Sequence, residues 1–239
     1  MIRVVFFGME LGVLKALRSF QVHLIGAYLP PAPYWLSKRL APRINILPRF
    51  LKKCFKTAAV YGQLYDFLKE YHITPLQSPD INSSKFLETL TGLNPDLCIV
   101  ANFGQIIGDR LLSIPKYGFI NYHPSLLPKY RGPSPLGHIL LNNEKTSGAT
   151  WHRMTKKIDD GDILAQESFS IKPHSMMKDL GEKSLSLAIK MLFPLLKDIE
   201  EGNVQPRPQN EADATYYPKL TKEEKMLLEN RKSPLQEAI

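Results

Sequence analysis

Cysteine is scarce in this sequence, which limits the classes of protein to which the chain can belong. The 239 residues include two cysteines, Cys54 and Cys98, which lie far apart and form no CxxC pair. Disulfide scaffolds and cysteine zinc sites need several thiols at short spacings, so the sequence argues against both. We therefore expect a protein of the reducing cytoplasm and predict no metal site.

Long apolar runs are also missing. No stretch of 18 consecutive apolar residues occurs, which is the length that a transmembrane helix requires. The apolar start, MIRVVFFGMELG, has no small-residue cleavage site, so we interpret it as a strand rather than a signal peptide. These absences predict no stable membrane insertion, and they leave the oligomeric state open.

Acidic residues are absent from one long segment, although the chain as a whole has 23% charged residues and a net charge of +8. Between Pro31 and Tyr65 the charged residues are all basic: Lys38, Arg39, Arg43, Arg49, Lys52, Lys53 and Lys56. Such a field attracts polyanions, for example RNA, a nucleotide-linked substrate, a polyglutamylated cofactor or an anionic membrane. A solvated basic face is the alternative. We call residues 30–57 the basic insertion.

The glycine-rich fingerprint of dinucleotide sites is not present either. The motif GMELGV has only Gly8 and Gly12, so a dinucleotide site is poorly supported. The order of elements nevertheless predicts an α/β fold. A buried-strand pattern over 2–8, helical spacing over 11–20 and a strand pattern over 22–29 make a βαβ unit, which favours parallel strands. We expect a Rossmann-like, mostly parallel sheet flanked by helices.

The rest of the chain continues this alternation of strands and helices. The further predicted elements are a loop over 30–48, an amphipathic helix over 50–71, a short strand over 73–78, a helix over 81–92 that ends at glycine, strands over 95–104 and 118–123, an antiparallel extension with strands over 147–154 and 162–171, and a helix over 183–202 kinked at Pro194. Beyond Asn203 the chain is polar, with one small terminal helix. We therefore predict a catalytic domain over 1–202 and a linker or tail over 203–239.

Two polar side chains mark the end of the strand over 118–123. Asn121 and His123 are two residues apart, so they face the same side of the strand. Pro124 ends the pairing, and ligands bind at the carboxyl ends of the strands in open α/β sheets. An amide that donates to an oxyanion and an imidazole that moves a proton suit acyl transfer from an activated formamide to an amine.

A carboxylate that could orient this imidazole is offered by the turn KKIDDGDIL, which contains Asp159, Asp160 and Asp162. Clustered carboxylates also suit a divalent metal, but the run lacks the remaining ligand positions of an EF-hand loop. Each signal alone has an ordinary structural explanation, and only the three together favour catalysis. His152, in the strand segment TWHRM, is interpreted as a packing or surface residue.

The combined pattern resembles a known family. The segment NYHPSLLPKYRGPSP, followed 36 positions after His123 by Asp159 in IDDGDIL, is similar to the tetrahydrofolate-dependent formyltransferases. These include methionyl-tRNA formyltransferases, glycinamide ribonucleotide transformylases and sugar N-formyltransferases. The similarity covers residues 2–202 and is densest over 95–171. It implies a Rossmann-like fold and 10-formyltetrahydrofolate as the co-substrate.

The resemblance also implies roles for individual residues. The family's catalytic asparagine, histidine and aspartate fall on Asn121, His123 and Asp159. Lys129 and Arg131 are implied to bind anionic groups of the acceptor, with solvated loop charges as the alternative. The residues implied to line the pterin are Phe103, Gly104, Gln105, Ile106, Ile107, Leu112, Ser125, Leu126, Leu127, Pro128, Thr155, Lys156, Lys157 and Ile158.

The acceptor amine is less well defined by the sequence. Methionyl-tRNA formyltransferases carry a further C-terminal domain, for which we expect no room here, and a glycine-containing insertion, whereas the basic insertion has no glycine. The loop sequence is nearer to sugar N-formyltransferases. We therefore expect a formyltransferase that acts on an amino sugar nucleotide or another small amine, with the amine of an aminoacyl-tRNA as the alternative. A non-catalytic basic protein that binds RNA or a membrane is the second alternative.

Overall fold

The computed structural model describes residues 1–20, 22–29 and 49–230. The predicted loop over 30–48, with most of the basic insertion, lies outside the described residues. Two compact units follow one another along the chain, Met1–Phe119 and Ile120–Ile239. None of the helices in the described ranges has the length and apolarity needed to cross a membrane.

The first unit is built on parallel strands. Its strands are β1 (Arg3–Gly8), β2 (His23–Tyr28), β3 (Thr74–Leu76) and β4 (Leu97–Ala101), and its helices are α1 (Leu11–Ser19), α2 (Arg49–Glu70), α3 (Ser84–Leu93) and α4 (Asp109–Leu112). Strand β1 pairs in parallel with β2 and with β4, and β2 pairs in parallel with β3. The predicted βαβ unit and the helix predicted over 50–71 are therefore confirmed.

The apolar pattern of β1 explains the core of this unit. Residues 4–7 have no exposed surface, as expected for a parallel strand that is covered on both faces. The strand ends at Gly8, which has a φ of 138° and lies so close to the Ala101 carbonyl that a Cβ atom would overlap it. Glycine is therefore required at this position.

Helix α3 runs slightly further than its sequence pattern predicts. Its first turn is capped by Ser83, whose hydroxyl accepts a hydrogen bond from the Phe86 N–H over 3.4 Å. The predicted stop at Gly92 is wrong by one residue, because the helix ends where Asn94 adopts the left-handed conformation with a φ of 46°. Asparagine tolerates this conformation better than most residues, so it serves as the cap here.

The second unit adds antiparallel strands. Strand β5 (Phe119–His123) begins at the last residue of the first unit. Just before it, within the first unit, the Cys98 N–H donates to the Gly118 carbonyl over 3.0 Å. The other elements are α5 (Pro135–Leu141), β6 (Thr146–Arg153), β7 (Ile163–Ser170), α6 (Met177–Glu201) and α7 (Lys222–Glu229). Strand β6 pairs antiparallel with β5 and with β7, which confirms the predicted antiparallel extension. The α/β class is also confirmed.

Helix α6 covers one face of these strands. The Trp151 side chain on β6 is fully buried, and its indole N–H donates to the Ala188 carbonyl over 2.9 Å. The helix starts at Met177 rather than at Lys183. Its N-terminal turn is stabilised because the Asp179 carboxylate accepts the Met176 N–H over 2.8 Å.

The segment predicted as a linker or tail packs within the second unit. Leu220 and Leu228 are buried in a cluster with four other apolar residues: Tyr130, Ile139, Leu140 and Leu180. Helix α7, the predicted terminal helix, is capped by Thr221, whose hydroxyl accepts the Glu224 N–H over 3.1 Å. Residues 203–230 are thus folded against the unit that carries Asn121, and the domain boundary after residue 202 stays a prediction.

Candidate active site

Strand β5 presents Asn121 and His123 on the same face, as the two-residue period of a strand requires. Asn121 is partly exposed, whereas His123 has only 4% of its surface exposed. Tyr122 points the other way, and its hydroxyl donates to the Ser184 hydroxyl over 2.9 Å. The fold therefore anchors the middle of this short strand through Tyr122 and leaves the amide and imidazole on the opposite face.

The neighbouring strand adds a second histidine. His152 on β6 lies directly opposite Asn121 in the antiparallel register and is 1% exposed. Its Nδ1 lies 2.9 Å from the Arg153 carbonyl, which can only accept, so Nδ1 carries a proton. Its Nε2 lies 3.1 Å from the Asn121 amide nitrogen and accepts an N–H from it. A surface position for His152 is therefore wrong and a buried, packed one is correct, and its ring also contacts Asn121.

Asp159 lies between the two imidazoles. One carboxylate oxygen is 3.5 Å from Nδ1 of His123, and the other is 3.5 Å from Nε2 of His152. The first oxygen also accepts the Gly132 N–H over 2.8 Å. Asn121, His152, Asp159 and His123 thus form one continuous series of contacts within the second unit.

The other two aspartates of the turn serve different purposes. Asp160 accepts a hydrogen bond from the Thr155 hydroxyl, and the Asp162 carbonyl accepts the Arg153 N–H over 2.9 Å. Both contacts close the turn between β6 and β7. In the described part of the chain, histidine, cysteine, aspartate and glutamate form no group of three that could hold a metal ion.

The electrostatics of the cluster set the charge on each group. Burial alone would raise the pKa of Asp159, but the attraction of His123, the contacts with His152 and the Gly132 N–H together lower it to about 2. Burial lowers the pKa of His123 and outweighs the attraction of Asp159 and of the Tyr130 carbonyl. At neutral pH the site therefore holds an ionised Asp159 beside a neutral His123.

The tautomer of His123 follows from its neighbours. Its Nε2 lies 2.8 Å from the Tyr130 carbonyl, so Nε2 carries the proton and the lone pair on Nδ1 faces Asp159. A second proton, taken up at Nδ1, would be held between the ring and the carboxylate. His123 is therefore suited to act as a base whose cation Asp159 stabilises.

Comparison with known proteins identifies the family. The sequence model of the family described as "Formyl transferase" matches residues 55–196, more than half of the chain. This chain belongs to the formyl transferase family. The resemblance predicted from the motif is thereby confirmed.

Curated relatives of this family member include methionyl-tRNA formyltransferases. The one from Thermotoga neapolitana is 42% identical over 149 residues, which cover 62% of this chain and 48% of the relative. The one from Dictyoglomus turgidum is 37% identical over 195 residues, which cover 80% of this chain and 62% of the relative. The chain spans about half the length of the curated relatives that it matches.

Solved structures of the family share the fold. Glycinamide ribonucleotide transformylase 1 from Symbiobacterium toebii matches with a TM-score of 0.67 and 18% identity, over 88% of this chain and 95% of that one. An N-formyltransferase from Helicobacter canadensis, solved with folinic acid and dTDP-3-aminofucose, matches with a TM-score of 0.66 and 20% identity, over 92% of this chain and 71% of that one. At these identities the likeness supports the fold alone.

The residues implied to line the pterin fall into two groups, one in each unit. In the first unit, the Phe103 ring packs edge-on against Tyr28 at 5.4 Å, and the Gln105 amide donates to the Tyr28 hydroxyl over 2.9 Å. Ile106 is 75% exposed and Ile107 is buried. The neighbouring residues Gly104 and Leu112 lie in the same stretch, before and on α4. Their contact with a ligand stays a prediction.

The second group lies in the loop after β5 and in the aspartate turn. The Ser125 carbonyl accepts from the Thr150 hydroxyl over 2.6 Å, and the Leu127 carbonyl accepts from the Gln166 amide over 2.9 Å. Ile158 is 51% exposed. The remaining residues of this group are Leu126, Pro128, Thr155, Lys156 and Lys157. The loop is therefore held by β6 and β7, and its role also stays a prediction.

Arg131 has partners other than an acceptor anion. It is 8% exposed, and its guanidinium donates to the Gln209 side-chain carbonyl and to the Glu211 carboxylate, at 2.9 and 2.7 Å from Nη2. Lys129 is exposed, and its backbone carbonyl accepts from the Ser125 hydroxyl over 2.8 Å. Of the two predicted acceptor-binding residues, only Lys129 therefore presents its side chain to solvent.

Replacing Asp159 with asparagine should change how stability depends on pH. A carboxyl whose pKa falls from an ordinary 3.8 to about 2 on folding stabilises the protein above pH 4, and this contribution is lost as the pH falls towards 2. The unfolding free energy of Asp159→Asn should therefore fall below that of the parent by about 2 kcal/mol more at pH 7 than at pH 2.5. Urea unfolding of both proteins between pH 2.5 and 7 measures this. A difference in unfolding free energy that does not vary with pH would contradict the assigned pKa.

Proposed function

We propose that this chain transfers the formyl group of 10-formyltetrahydrofolate to the amino group of an aminoacyl-tRNA. The observation that carries the chemistry is the position of Asp159, with one oxygen 3.5 Å from His123 and the other 3.5 Å from His152, which accepts from Asn121. This arrangement offers a donor, a base and a fixed negative charge close together. Acyl transfer to an amine needs each of them.

Each residue of the cluster has one task in this proposal. Asn121 donates an amide N–H to the oxygen that becomes negative when the amine attacks the formyl carbon. His123 takes up the proton that the attacking nitrogen loses, at Nδ1. Asp159 stabilises the resulting imidazolium and passes the proton on towards the folate nitrogen as that bond breaks. His152 holds the Asn121 amide.

The folate co-substrate is supported by the side chain next to Asp159. Ile158 is 51% exposed. A pterin ring is flat and apolar on its faces, so isoleucine side chains are suitable neighbours. The structure from Helicobacter canadensis contains folinic acid, which supports the same class of ligand here.

The aminoacyl-tRNA acceptor is supported by the curated relatives. Proteins named methionyl-tRNA formyltransferase share 42% and 37% identity with the chain in two examples, whereas the solved formyltransferase bound to an amino sugar nucleotide shares 20%. The amino sugar acceptor, which the loop sequence favours, therefore has weaker support. The basic insertion over 30–57 offers seven positive charges to tRNA phosphates. We propose that it contacts the acceptor stem.

A panel of acceptors tests the proposal. The protein is incubated with 10-formyltetrahydrofolate and, separately, with methionyl initiator tRNA, free methionine, or a nucleotide-linked amino sugar, and the products are identified by mass. We expect formylmethionine only from the tRNA reaction, at a rate that falls steeply with added salt because the phosphate contacts are electrostatic. The variant Gln205→Ala, which changes an exposed side chain, serves as the control for an ordinary surface substitution in this assay and should keep full activity.

The other outcomes separate the parts of the proposal. A formylated amino sugar without formylmethionine would refute the tRNA acceptor and keep the reaction. No product from any acceptor would refute the reaction and favour a non-catalytic basic binding protein. A tRNA reaction that does not respond to salt would refute the role given to the basic insertion.

A further inference from the structure

The segment after α6, residues 203–217, is anchored to both sides of the candidate active site. Arg207 exchanges two backbone hydrogen bonds with Ile163 at the start of β7, at 2.8 and 2.9 Å. Arg131, in the loop after β5, donates its N–H to the Thr215 carbonyl over 2.8 Å and accepts the Tyr217 N–H over 2.9 Å. We call residues 207–217 the strap.

Gln209 lies between these two anchors and uses both ends of its amide. Its nitrogen donates to the Asp159 carbonyl over 2.8 Å and to the Gly161 carbonyl over 2.7 Å. Its oxygen accepts from Nε and Nη2 of Arg131 at 3.1 and 2.9 Å. An amide side chain suits these contacts because it supplies two N–H donors and an oxygen that can accept two hydrogen bonds.

These contacts join the two backbone segments that hold the Asp159 carboxylate. Asp159 has a left-handed φ of 53°, a conformation that an L residue keeps only when its surroundings fix it. Gly132, whose N–H binds the carboxylate over 2.8 Å, is the next residue after Arg131. The Gln209 nitrogen thus binds the turn that contains Asp159, and the Gln209 oxygen binds Arg131, the residue before Gly132.

We propose that Gln209 is a positioning residue for Asp159, which fixes the carboxylate between His123 and His152 without touching a substrate. Its kinetic consequence rests on the proposed function, whereas its structural consequence does not. Glu211 also binds Arg131, but 71% of its side chain is exposed, so solvent weakens this contact. Gln209 is therefore the side chain that links the turn of Asp159 to the loop of Arg131 and Gly132.

The test compares Gln209→Ala with Gln205→Ala, a matched change four residues earlier at an exposed glutamine. Carboxyl and imidazole NMR titrations follow Asp159 and His123, and steady-state kinetics follow formyl transfer. We expect Gln209→Ala to raise the pKa of Asp159 from about 2 towards 3.8. We also expect a fall in kcat of roughly 10- to 100-fold with an unchanged KM for the acceptor. Gln205→Ala should match the parent in both measurements.

A second variant keeps the test decisive if the alanine variant folds poorly. Gln209→Glu keeps an oxygen for Arg131 but turns an acceptor towards the Asp159 and Gly161 carbonyls, so it should show the same pKa change and loss of kcat. An unchanged Asp159 pKa together with a parental kcat in the folded variant would overturn the positioning role. If the parent transfers no formyl group but the pKa of Asp159 still moves, the proposed function fails and the positioning role stands.

Discussion

Replacing Asn121 with alanine is expected to lower the rate of formyl transfer by roughly 10²- to 10³-fold and to leave the fold intact. The Asn121 side chain is partly exposed, so its loss creates no large cavity. One amide N–H is directed to Nε2 of His152 over 3.1 Å, which orients the second N–H for the oxygen of the tetrahedral intermediate. Steady-state kinetics with circular dichroism measures both expectations.

Two further variants sharpen this prediction. Asn121→Asp keeps the shape but replaces the donor with a carboxylate beside His152, so its rate should fall at least as far as that of the alanine variant. Asn203→Ala removes an exposed amide elsewhere and should leave the rate unchanged. His123→Ala and Asp159→Ala should likewise lose most of the turnover. Nearly normal rates in any two of the three alanine variants at Asn121, His123 and Asp159 would contradict the assignment.

The pairing of Asn121 with His123 could be predicted from the sequence because it depends only on the period of a strand. Residues two apart share a face in any strand, and Pro124 marks where this one ends. The buried strands and most helices were predictable for the same reason, since the apolar period is local. No local pattern contains the contact between His123 and Asp159, because these residues are 36 positions apart in the sequence.

His152 could not be assigned from the sequence. Its contact with Asn121 depends on the register between β5 and β6, and a shift of one residue would turn its side chain to the other face. The alternating pattern of TWHRM predicts the strand but not its register. A histidine directly opposite a predicted catalytic asparagine becomes informative only once the pairing is known.

Gln209 was missed for a different reason. The strap is short and mostly polar and contains Pro208, a composition typical of loops and tails. Its contacts reach Asp159 and Arg131 across 50 and 78 positions of sequence. A single glutamine side chain with four hydrogen-bond distances to distant groups leaves no periodic signal, so only the structure reveals it.

The second large effect is expected at the glycine of the aspartate turn. A Cβ atom on Gly161 would overlap the Arg153 carbonyl oxygen and lie 2.9 Å from its carbon. The backbone cannot give way easily, because the Gly161 carbonyl accepts from Gln209 and the Arg153 N–H donates to Asp162. Gly161→Ala should therefore cost about 3 kcal/mol of stability and, by moving Asp159, lower kcat by roughly 100-fold.

Gly92→Ala is the matched control for this prediction. An added Cβ atom at Gly92 meets nothing within 4 Å, and the residue lies inside helix α3, where alanine is favoured over glycine. This variant should gain about 0.5–1 kcal/mol and keep its rate. Urea unfolding and steady-state kinetics compare the two variants. Should Gly161→Ala behave like Gly92→Ala in both, the turn would tolerate displacement, and a rigidly held Asp159 could not be the basis of catalysis.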